Sequence, residues 1–329
     1  MDTENATEQI NGKFKGKDIL SLDQFSSKDI QILFSAVKKM KNIAVNSKPS
    51  KLLQGKIITL LFYEPSSRTF GSFSAAVKRL GGQTIAVQDP QRVSSVAKGE
   101  TLEDTIRVFE SYCDAIVIRH PEKGKVKAAA DAAFFIPVIN GGDGVGEHPT
   151  QALYDLYTIY EKFKTLENLT LLIAGDLLNG RTVHSLLKGL SLFKRNTVYL
   201  LSPSQLRLSR DDFFTFSNKG LKLIEIESTK DIPKNAHVWY WTRVQKERFT
   251  NMKLYEKVKN RFILTPQLIK DYGNKNMILM HPLPRIEEIA KDVDTDPRAV
   301  YLRSQIRNGM YVRMALLALI LGKSVKNKR

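Results

Sequence analysis

The sequence predicts two α/β domains, each built on a doubly wound parallel sheet. With 329 residues, the chain is longer than one hydrophobic core usually accommodates, which favours two domains of about 150 residues each. Short apolar and β-branched segments alternate along the chain with longer helical segments. That alternation is typical of parallel sheets covered by helices, in which ligands collect beyond the carboxyl ends of the strands.

The predicted elements are spread over both halves of the chain. Strands are predicted at 57–63, 83–87, 114–119, 136–140, 169–176, 197–202, 222–227, 237–243 and 277–284. Helices are predicted at 70–82, 99–112, 148–163, 180–193, 210–220 and 308–322. We expect domains at 1–150 and 151–304, joined by interdomain helices, with a C-terminal helix at about 305–322 that packs back onto the first domain.

Charge and composition narrow the classes of function. The formal net charge is +17, which could attract nucleic acid, acidic lipid or small anionic substrates. The basic residues are scattered, however, without zinc-finger spacing, an RNP-like signature or a long basic helix. We therefore interpret most of them as a solvated surface, and expect no nucleic acid partner.

The sequence also indicates a cellular setting. No apolar run approaches the roughly 20 residues that a membrane span needs, so no membrane partner is expected. The polar start of the chain resembles neither a secretory signal nor an arginine-rich transit peptide. Cys113, the single cysteine, excludes an internal disulfide and a multi-cysteine zinc site. A reducing, cytoplasmic location is expected.

A candidate phosphate cradle follows the first predicted strand. In the segment FYEPSSRTFGSF, Ser66, Ser67, Arg68 and Thr69 open a helix. The unbonded N–H groups at a helix N-terminus suit a phosphate, and hydroxyl and guanidinium groups complete such a site. The same four residues are equally compatible with an ordinary helix cap beside a surface arginine.

Two further motifs occur in the first half of the chain. In IVIRHP, Arg119 ends a hydrophobic strand, where it either holds an anion or solvates the strand terminus. In GEHPTQ, Pro149 suits the first helical position, which puts His148 just before a helix and Gln151 in its first turn. These two side chains could bind a carbonyl and an amide, although a lone histidine is more often structural.

The second half contains three comparable segments. GDLLNGRTVHS places Arg181 at a strand–turn–helix junction, without the GxGxxG pattern of a dinucleotide site. TRVQKERF places Arg243 and Gln245 beyond a strand. In HPLPR, two prolines stiffen the turn, so that Leu283 presents a rigid backbone carbonyl.

Taken together, the segments SSRT, RHP, HPTQ, GRTVHS, TRVQKER and HPLPR resemble the successive signatures of the aspartate carbamoyltransferase family. The resemblance runs from about Phe14 to Gly322 and includes SSVAKGETLEDT. It implies transfer of a carbamoyl group from carbamoyl phosphate to L-aspartate, in pyrimidine synthesis. It also implies an active site between the domains and shared between the subunits of a homotrimer. A regulatory partner is left open, and a stand-alone transferase is expected, although excision from a longer polyprotein stays possible.

The resemblance assigns a role to each candidate residue. Carbamoyl phosphate would be bound by Ser66, Ser67, Arg68, Thr69, Ser94, Arg119, His148 and Gln151 and by the backbones of Leu283 and Pro284. Aspartate would be bound by Lys98, Arg181, Arg243 and Gln245. The catalytic groups would be Arg68, Thr69, His148 and Lys98, with Ser94 and Lys98 supplied by a neighbouring subunit. No metal or organic cofactor is implied, and the leaving phosphate could itself accept the proton of the attacking amine.

Three positions depart from the family pattern. Ser67 stands where threonine is usual, which keeps the hydroxyl. Leu178 replaces a lysine that serves subunit contacts in bacterial relatives, which puts allosteric communication in doubt. Phe70 stands where an arginine is frequent and is interpreted as packing.

Two alternatives compete with this interpretation. Ornithine carbamoyltransferases carry HPCQ and HCLP where this chain has HPTQ and HPLP. A non-catalytic protein that binds anions or nucleic acid on the same fold is a second alternative. The side chains outside the motifs are interpreted as structural, namely Cys113, His120, His184, His237, Trp239, Trp241 and His281.

Overall fold

The computed structural model describes residues 8–46, 50–244, 249, 251–259 and 261–323. Gln245, one of the predicted aspartate-binding residues, lies outside the described residues. The chain forms two compact units, one containing the chain up to Tyr154 and from Asn308 onward, the other running from Asp155 to Arg307. Each unit contains a parallel sheet together with helices, which confirms the predicted fold class.

The first unit contains a four-stranded sheet. Its strands are β1 Ile57–Phe62, β2 Gln83–Gln88, β3 Ala115–His120 and β4 Val138–Asp143. Its helices are α1 Ser27–Val45, α2 Ser67–Arg79, α3 Pro90–Val93, α4 Leu102–Glu110 and α5 Lys125–Ala132. The strand order is β2-β1-β3-β4, and every neighbouring pair is parallel. The central strands β1 and β3 are almost wholly buried, as is usual inside a parallel sheet.

Helix α1 was not predicted from the sequence. Its start is nevertheless marked by a capping box, in which the Ser26 hydroxyl accepts the Asp29 N–H and the Asp29 carboxylate accepts the Ser26 N–H. The helix buries an apolar stripe at helical spacing, consisting of Ile30, Leu33, Phe34, Val37 and Met40. Strand–helix alternation, on which the prediction depended, does not detect a helix that precedes the first strand.

The second unit contains a five-stranded sheet. Its strands are β5 Thr170–Ala174, β6 Thr197–Leu201, β7 Lys222–Ile226, β8 Val238–Trp241 and β9 Ile278–Met280. Its helices are α7 Arg181–Leu190, α8 Arg210–Asn218, α9 Met252–Val258 and α10 Pro266–Tyr272. The order β7-β6-β5-β8-β9 is parallel throughout. Trp239 and Trp241 lie inside its core, which confirms that they serve packing.

Two long helices cross the division between the units. They are α6 Pro149–Phe163 and α11 Ser304–Ile320. Among the described residues, no helix has the length and apolar character that crossing a membrane requires.

Several element boundaries differ from those predicted. β9 ends at Met280 rather than at residue 284, because Pro282 and Pro284 cannot donate hydrogen bonds to a neighbouring strand. β4 begins at Val138 and extends to Asp143, so that it includes a Gly-Gly pair that the prediction had excluded.

Gly175, just after β5, permits a close approach of two chain segments. Its φ is 116°, and a Cβ at this position would overlap the carbonyl oxygen of Thr242 and lie 2.6 Å from its Oγ1. Thr242 in turn donates its hydroxyl to the Ala174 carbonyl at 2.9 Å. The residue that follows Thr242 is Arg243, so this contact fixes the backbone from which that arginine projects.

We expect Gly175→Ala to destabilise the protein by about 2–4 kcal/mol, through backbone strain and overlap with Thr242. Gly220→Ala is the matched control, because Gly220 also has a positive φ, 96°, but no atom lies within 4 Å of its Cβ position. The free energy of unfolding of the control variant should fall by only about 1 kcal/mol. Urea unfolding measures both, and equal losses would contradict the importance of the close approach.

Candidate active site

The predicted cradle lies where β1 leads into α2. Ser66 is the N-cap residue of α2, has an extended backbone, and makes no side-chain capping hydrogen bond. Ser67 and Arg68 are exposed in the first helical turn, whereas Thr69 is buried. The N-terminal N–H groups of a 13-residue helix, an unengaged capping hydroxyl and an accessible guanidinium therefore face solvent together, an arrangement that suits an anion.

Thr69 and His148 meet although they are far apart in sequence. Oγ1 of Thr69 lies 3.3 Å from Nε2 of His148, and both residues are buried. His148 directly precedes α6, and its carbonyl accepts the Gln151 N–H at 2.9 Å. The prediction that Pro149 occupies the first helical position is confirmed. The start of α6 thus carries a buried imidazole and a buried carboxamide close to the start of α2.

Arg119 is the penultimate residue of β3 and is 6% exposed. Its guanidinium forms an ion pair with the carboxylate of Glu64 at 2.6 Å and donates to the Gly141 carbonyl at 3.2 Å. A Cβ at Gly142 would overlap Nη1 of Arg119, so this glycine makes room for the guanidinium. An anion that binds Arg119 must share it with Glu64 or displace Glu64. Glu64 was not among the predicted site residues, because the signal in the segment FYEPSSRT was sought in basic and hydroxyl side chains.

The segment after β2 carries Ser94 and Lys98. Ser94 donates its hydroxyl to the Pro90 carbonyl at 2.7 Å and accepts the Val96 N–H at 3.2 Å. Lys98 is exposed at the end of a 3₁₀ turn, Ser95–Lys98. Within the described residues, Lys98 has no ion-pair partner, which leaves its ammonium group available to a ligand or to another chain.

In the second unit, the predicted residues follow three neighbouring strands. Arg181 is the first residue of α7, which follows β5. Arg243 lies two residues beyond β8 and is half-buried, and Leu283 and Pro284 follow β9 through a cis peptide bond between them. Because β5, β8 and β9 are adjacent and parallel, these residues lie at the same edge of the sheet.

In the first unit, too, the predicted residues follow parallel strands and therefore lie at one edge of the sheet. Its site segments follow β2, β1, β3 and β4, in the order in which those strands lie in the sheet. Each unit therefore gathers its predicted ligand-binding residues at the carboxyl edge of its own sheet, as is general in open α/β folds. Among the described residues, no group of three or more His, Cys, Asp or Glu side chains is arranged to hold a metal ion.

Cys113 and the histidines His120, His184 and His237 have ordinary surroundings. Burial raises the pKa of the Cys113 thiol, which is half-buried rather than fully enclosed. Burial lowers the pKa of His120, whose Nδ1 accepts the Glu122 N–H at 3.1 Å. His237 Nδ1 accepts the Thr170 N–H at 3.0 Å, and His184 Nε2 lies 3.0 Å from the Leu177 carbonyl oxygen.

Comparison with known proteins identifies the relatives of both units. Residues 17–161 match the family described as aspartate/ornithine carbamoyltransferase, carbamoyl-P binding domain. Residues 167–320 match the family described as aspartate/ornithine carbamoyltransferase, Asp/Orn binding domain.

Two curated relatives extend this similarity over nearly the whole chain. The multifunctional protein pyr1-3 of Dictyostelium discoideum is 48% identical over 310 residues, which are 94% of this chain and 14% of that protein. The chain therefore spans about one seventh of that relative's length. Aspartate carbamoyltransferase 1, chloroplastic, of Pisum sativum is 42% identical over 313 residues, which are 95% of this chain and 80% of that protein.

Solved structures give the same result. The catalytic subunit of M. jannaschii aspartate transcarbamoylase matches with a TM-score of 0.87 and 42% identity, covering 93% of this chain and 98% of that one. Aspartate transcarbamoylase from Trypanosoma cruzi, in complex with N-(phosphonacetyl)-L-aspartic acid, matches with a TM-score of 0.84 and 38% identity. The match covers 97% of this chain and 100% of that one.

The Arg119–Glu64 ion pair predicts how phosphate binding responds to substitution. Arg119→Ala should weaken binding of inorganic phosphate by roughly tenfold or more, because a charge-assisted contact is lost and the Glu64 carboxylate is left to repel the anion. The double variant Arg119→Ala/Glu64→Gln should recover part of that loss. Titration calorimetry measures both. Arg79→Ala, an exposed arginine at the other end of α2, controls for net charge. A double variant that binds no better than Arg119→Ala would rule out competition by Glu64.

Proposed function

The chain belongs to the aspartate/ornithine carbamoyltransferase family, and on that premise we propose that it transfers the carbamoyl group of carbamoyl phosphate to L-aspartate. The products are N-carbamoyl-L-aspartate and phosphate, and the reaction is the committed step of de novo pyrimidine synthesis. The observation that carries the proposal is the set of cationic and hydrogen-bonding groups at the carboxyl edge of each sheet. Relatives named as aspartate carbamoyltransferases support aspartate, rather than ornithine, as the acceptor.

Carbamoyl phosphate is assigned to the groups around α2 and α6. The phosphate is bound by Arg119 and by the first turn of α2, where N–H groups and the helix dipole favour an anion. The ion pair between Arg119 and Glu64 supports this role, because it keeps a buried guanidinium charged and paired, and an anion can compete with the carboxylate for it. The remaining assigned groups are Ser66, Ser67, Arg68, Thr69, Ser94, His148, Gln151 and the backbones of Leu283 and Pro284.

The chemistry is attributed to electrostatic stabilisation of the developing oxyanion. As the aspartate amine attacks the carbonyl carbon, negative charge grows on the carbonyl oxygen, and Arg68, Thr69 and His148 are the proposed donors to it. The 3.3 Å contact between Thr69 and His148 supports the proposal that both side chains donate to the same carbonyl oxygen. Removing one such donor typically costs about 3–4 kcal/mol of transition-state stabilisation.

Aspartate is assigned to Arg181, Arg243, Gln245 and Lys98. Planar guanidinium groups bind carboxylates through two parallel hydrogen bonds, so two arginines match the two carboxylates of this acceptor. The proposed reaction requires no metal or organic cofactor, because positioning and electrostatics suffice for attack by an amine on an activated carbonyl. The departing phosphate is the proposed acceptor of the amine proton.

We further propose that the protein is a cytoplasmic homotrimer. In this arrangement, Ser94 and Lys98 of one subunit complete the active site of the next. Lys98 is exposed and has no ion-pair partner among the described residues, which supports a role towards another chain. A head-to-tail contact of this kind closes into a ring, since each subunit both gives and receives the same segment.

The direct test is an assay of carbamoylaspartate formation by the purified chain, with ornithine as the control acceptor. We expect product from aspartate and none from ornithine, and the same rate with and without EDTA. Loss of activity on chelation, restored by a divalent metal, would overturn the cofactor-free mechanism. Preference for ornithine would overturn the assigned acceptor.

Shared sites predict complementation between two inactive variants. Lys98→Ala and Arg119→Ala should each be nearly inactive alone. After mixing, dissociation and reassociation, random threefold rings should contain about one quarter of sites in which an intact Arg119 meets an intact Lys98. Activity should return to about that fraction of the wild-type value.

Mass measurement of the reassembled rings provides the control for this experiment. If rings shown to contain both chains remain as inactive as their parents, Lys98 does not act across a subunit boundary. Lys78→Ala, which removes an exposed lysine at the C-terminal end of α2, should behave like wild type alone and in mixtures.

A further inference from the structure

The turn that follows β9, residues 281–288, contains a buried pair of ionisable side chains. The side chains of His281 and Glu288 are 0% and 6% exposed, and Nε2 of His281 lies 2.8 Å from Oε1 of Glu288. Neither atom has another hydrogen-bond partner among the described residues. From the sequence, His281 was interpreted as structural, and Glu288 had no predicted role.

The hydrogen bonds define the tautomer of His281. Its Nδ1 accepts the backbone N–H of Leu283 at 2.8 Å, so this nitrogen carries no proton. The proton of a neutral ring must then lie on Nε2, where it can be donated to Glu288. Burial lowers the pKa of His281, which favours this neutral form.

Glu288 is held as a carboxylate in the same turn. Its Oε2 accepts the N–H groups of Ile286 and Glu287 at 3.0 and 3.1 Å. Burial alone would raise the pKa of Glu288, but the hydrogen bonds from His281 and the backbone outweigh burial and lower it. One carboxylate thus fixes both ends of the turn, through the ring of His281 and through two backbone groups.

A second set of bonds fixes the backbone of His281. Its N–H donates to Gln305 Oε1 at 3.1 Å, and Gln305 donates its amide to Asp155 at 2.7 Å. Asp155 also accepts the Tyr240 hydroxyl at 2.8 Å. All of these residues are buried, so the turn is anchored to α6, β8 and α11 within the second unit. A buried polar network with its partners in place is rigid.

The network leaves one backbone group of Leu283 uncommitted. The Leu283 N–H is used by His281, whereas no described residue donates a hydrogen bond to the Leu283 carbonyl oxygen. Two buried ionisable side chains add little to stability compared with apolar residues of the same size. The effect of His281 and Glu288 is therefore to hold the backbone around this carbonyl in a single conformation.

We infer that His281 is a positioning residue for carbamoyl transfer, which orients the Leu283 carbonyl to accept a hydrogen bond from the amide of carbamoyl phosphate. The inference rests on the proposed function, because it concerns the same substrate. His281 touches no substrate in this role; it acts only through the backbone of Leu283, with Glu288 holding its ring in place.

Acetyl phosphate provides the discriminating probe. It has nearly the size of carbamoyl phosphate and the same phosphate group, but a methyl group replaces the amide. His281→Leu should weaken carbamoyl phosphate binding by roughly tenfold or more, since misplacement of a positioning group by about 1 Å has effects of that size or larger. Binding of acetyl phosphate, which cannot use the Leu283 carbonyl, should stay within about twofold of the wild-type value.

Matched variants separate positioning from general damage. In His281→Asn, the side-chain oxygen can accept the N–H two residues later but cannot reach Glu288. This variant should therefore retain a stronger preference for carbamoyl phosphate over acetyl phosphate than His281→Leu does. If His281→Leu does not fold with Glu288 left unpaired, His281→Leu/Glu288→Gln removes that charge. His237→Asn is the control, because His237 also accepts a backbone N–H at Nδ1 but lies at the amino end of β8.

The outcomes test the positioning role of His281 separately from the proposed transfer of a carbamoyl group. Selective loss of carbamoyl phosphate binding supports positioning by His281. Equal losses for both ligands, or no loss for either in a folded variant, would overturn it while leaving the proposed function intact. A wild-type chain that forms no carbamoylaspartate and does not prefer carbamoyl phosphate over acetyl phosphate would overturn the proposed function itself.

Discussion

Parallel pairing of strands is the constraint on which the rest of this protein depends. In the first unit, β2, β1, β3 and β4 run in one direction, and so do the five strands of the second. Every strand therefore delivers the chain to the same edge of its sheet, and every helix that follows begins near that edge. Cationic side chains and helix N-termini collect there, which gives each unit a positively polarised rim without any cluster in the sequence.

The buried charges follow from this arrangement, and they differ in how they are enclosed. Arg119 is buried, but its partner Glu64 has a side chain that is 36% exposed, so an arriving anion can exchange with the carboxylate. The His281–Glu288 pair is sealed on all sides by protein, so its bonds stay within the turn. The first pair is suited to binding a ligand, and the second is suited to holding backbone in place.

Arg313 shows how the C-terminal helix contributes to the first unit. Its guanidinium is buried, donates to the hydroxyls of Ser72 and Thr150, and lies over the rings of Phe73 and Tyr154. Ser72 also donates to the Thr69 carbonyl at 3.2 Å. Arg313, which is 241 positions from Ser72 and 163 from Thr150 in sequence, thus braces the N-terminal parts of α2 and α6. Nothing in the pattern NGMYVRMALLALILG indicates that this arginine is buried.

The sequence by itself determined the fold class, the nine strands and the segments that follow them, because strand periodicity and turn residues are local properties. It also determined where Arg119, Arg181 and Arg243 fall, since each stands at a strand or helix end. Only the tertiary structure decided which strands are neighbours, and with them the contacts Thr69–His148, Arg119–Glu64 and His281–Glu288. Pairing partners of buried charges are chosen by packing between distant segments, and a single sequence contains no periodic signal for that choice.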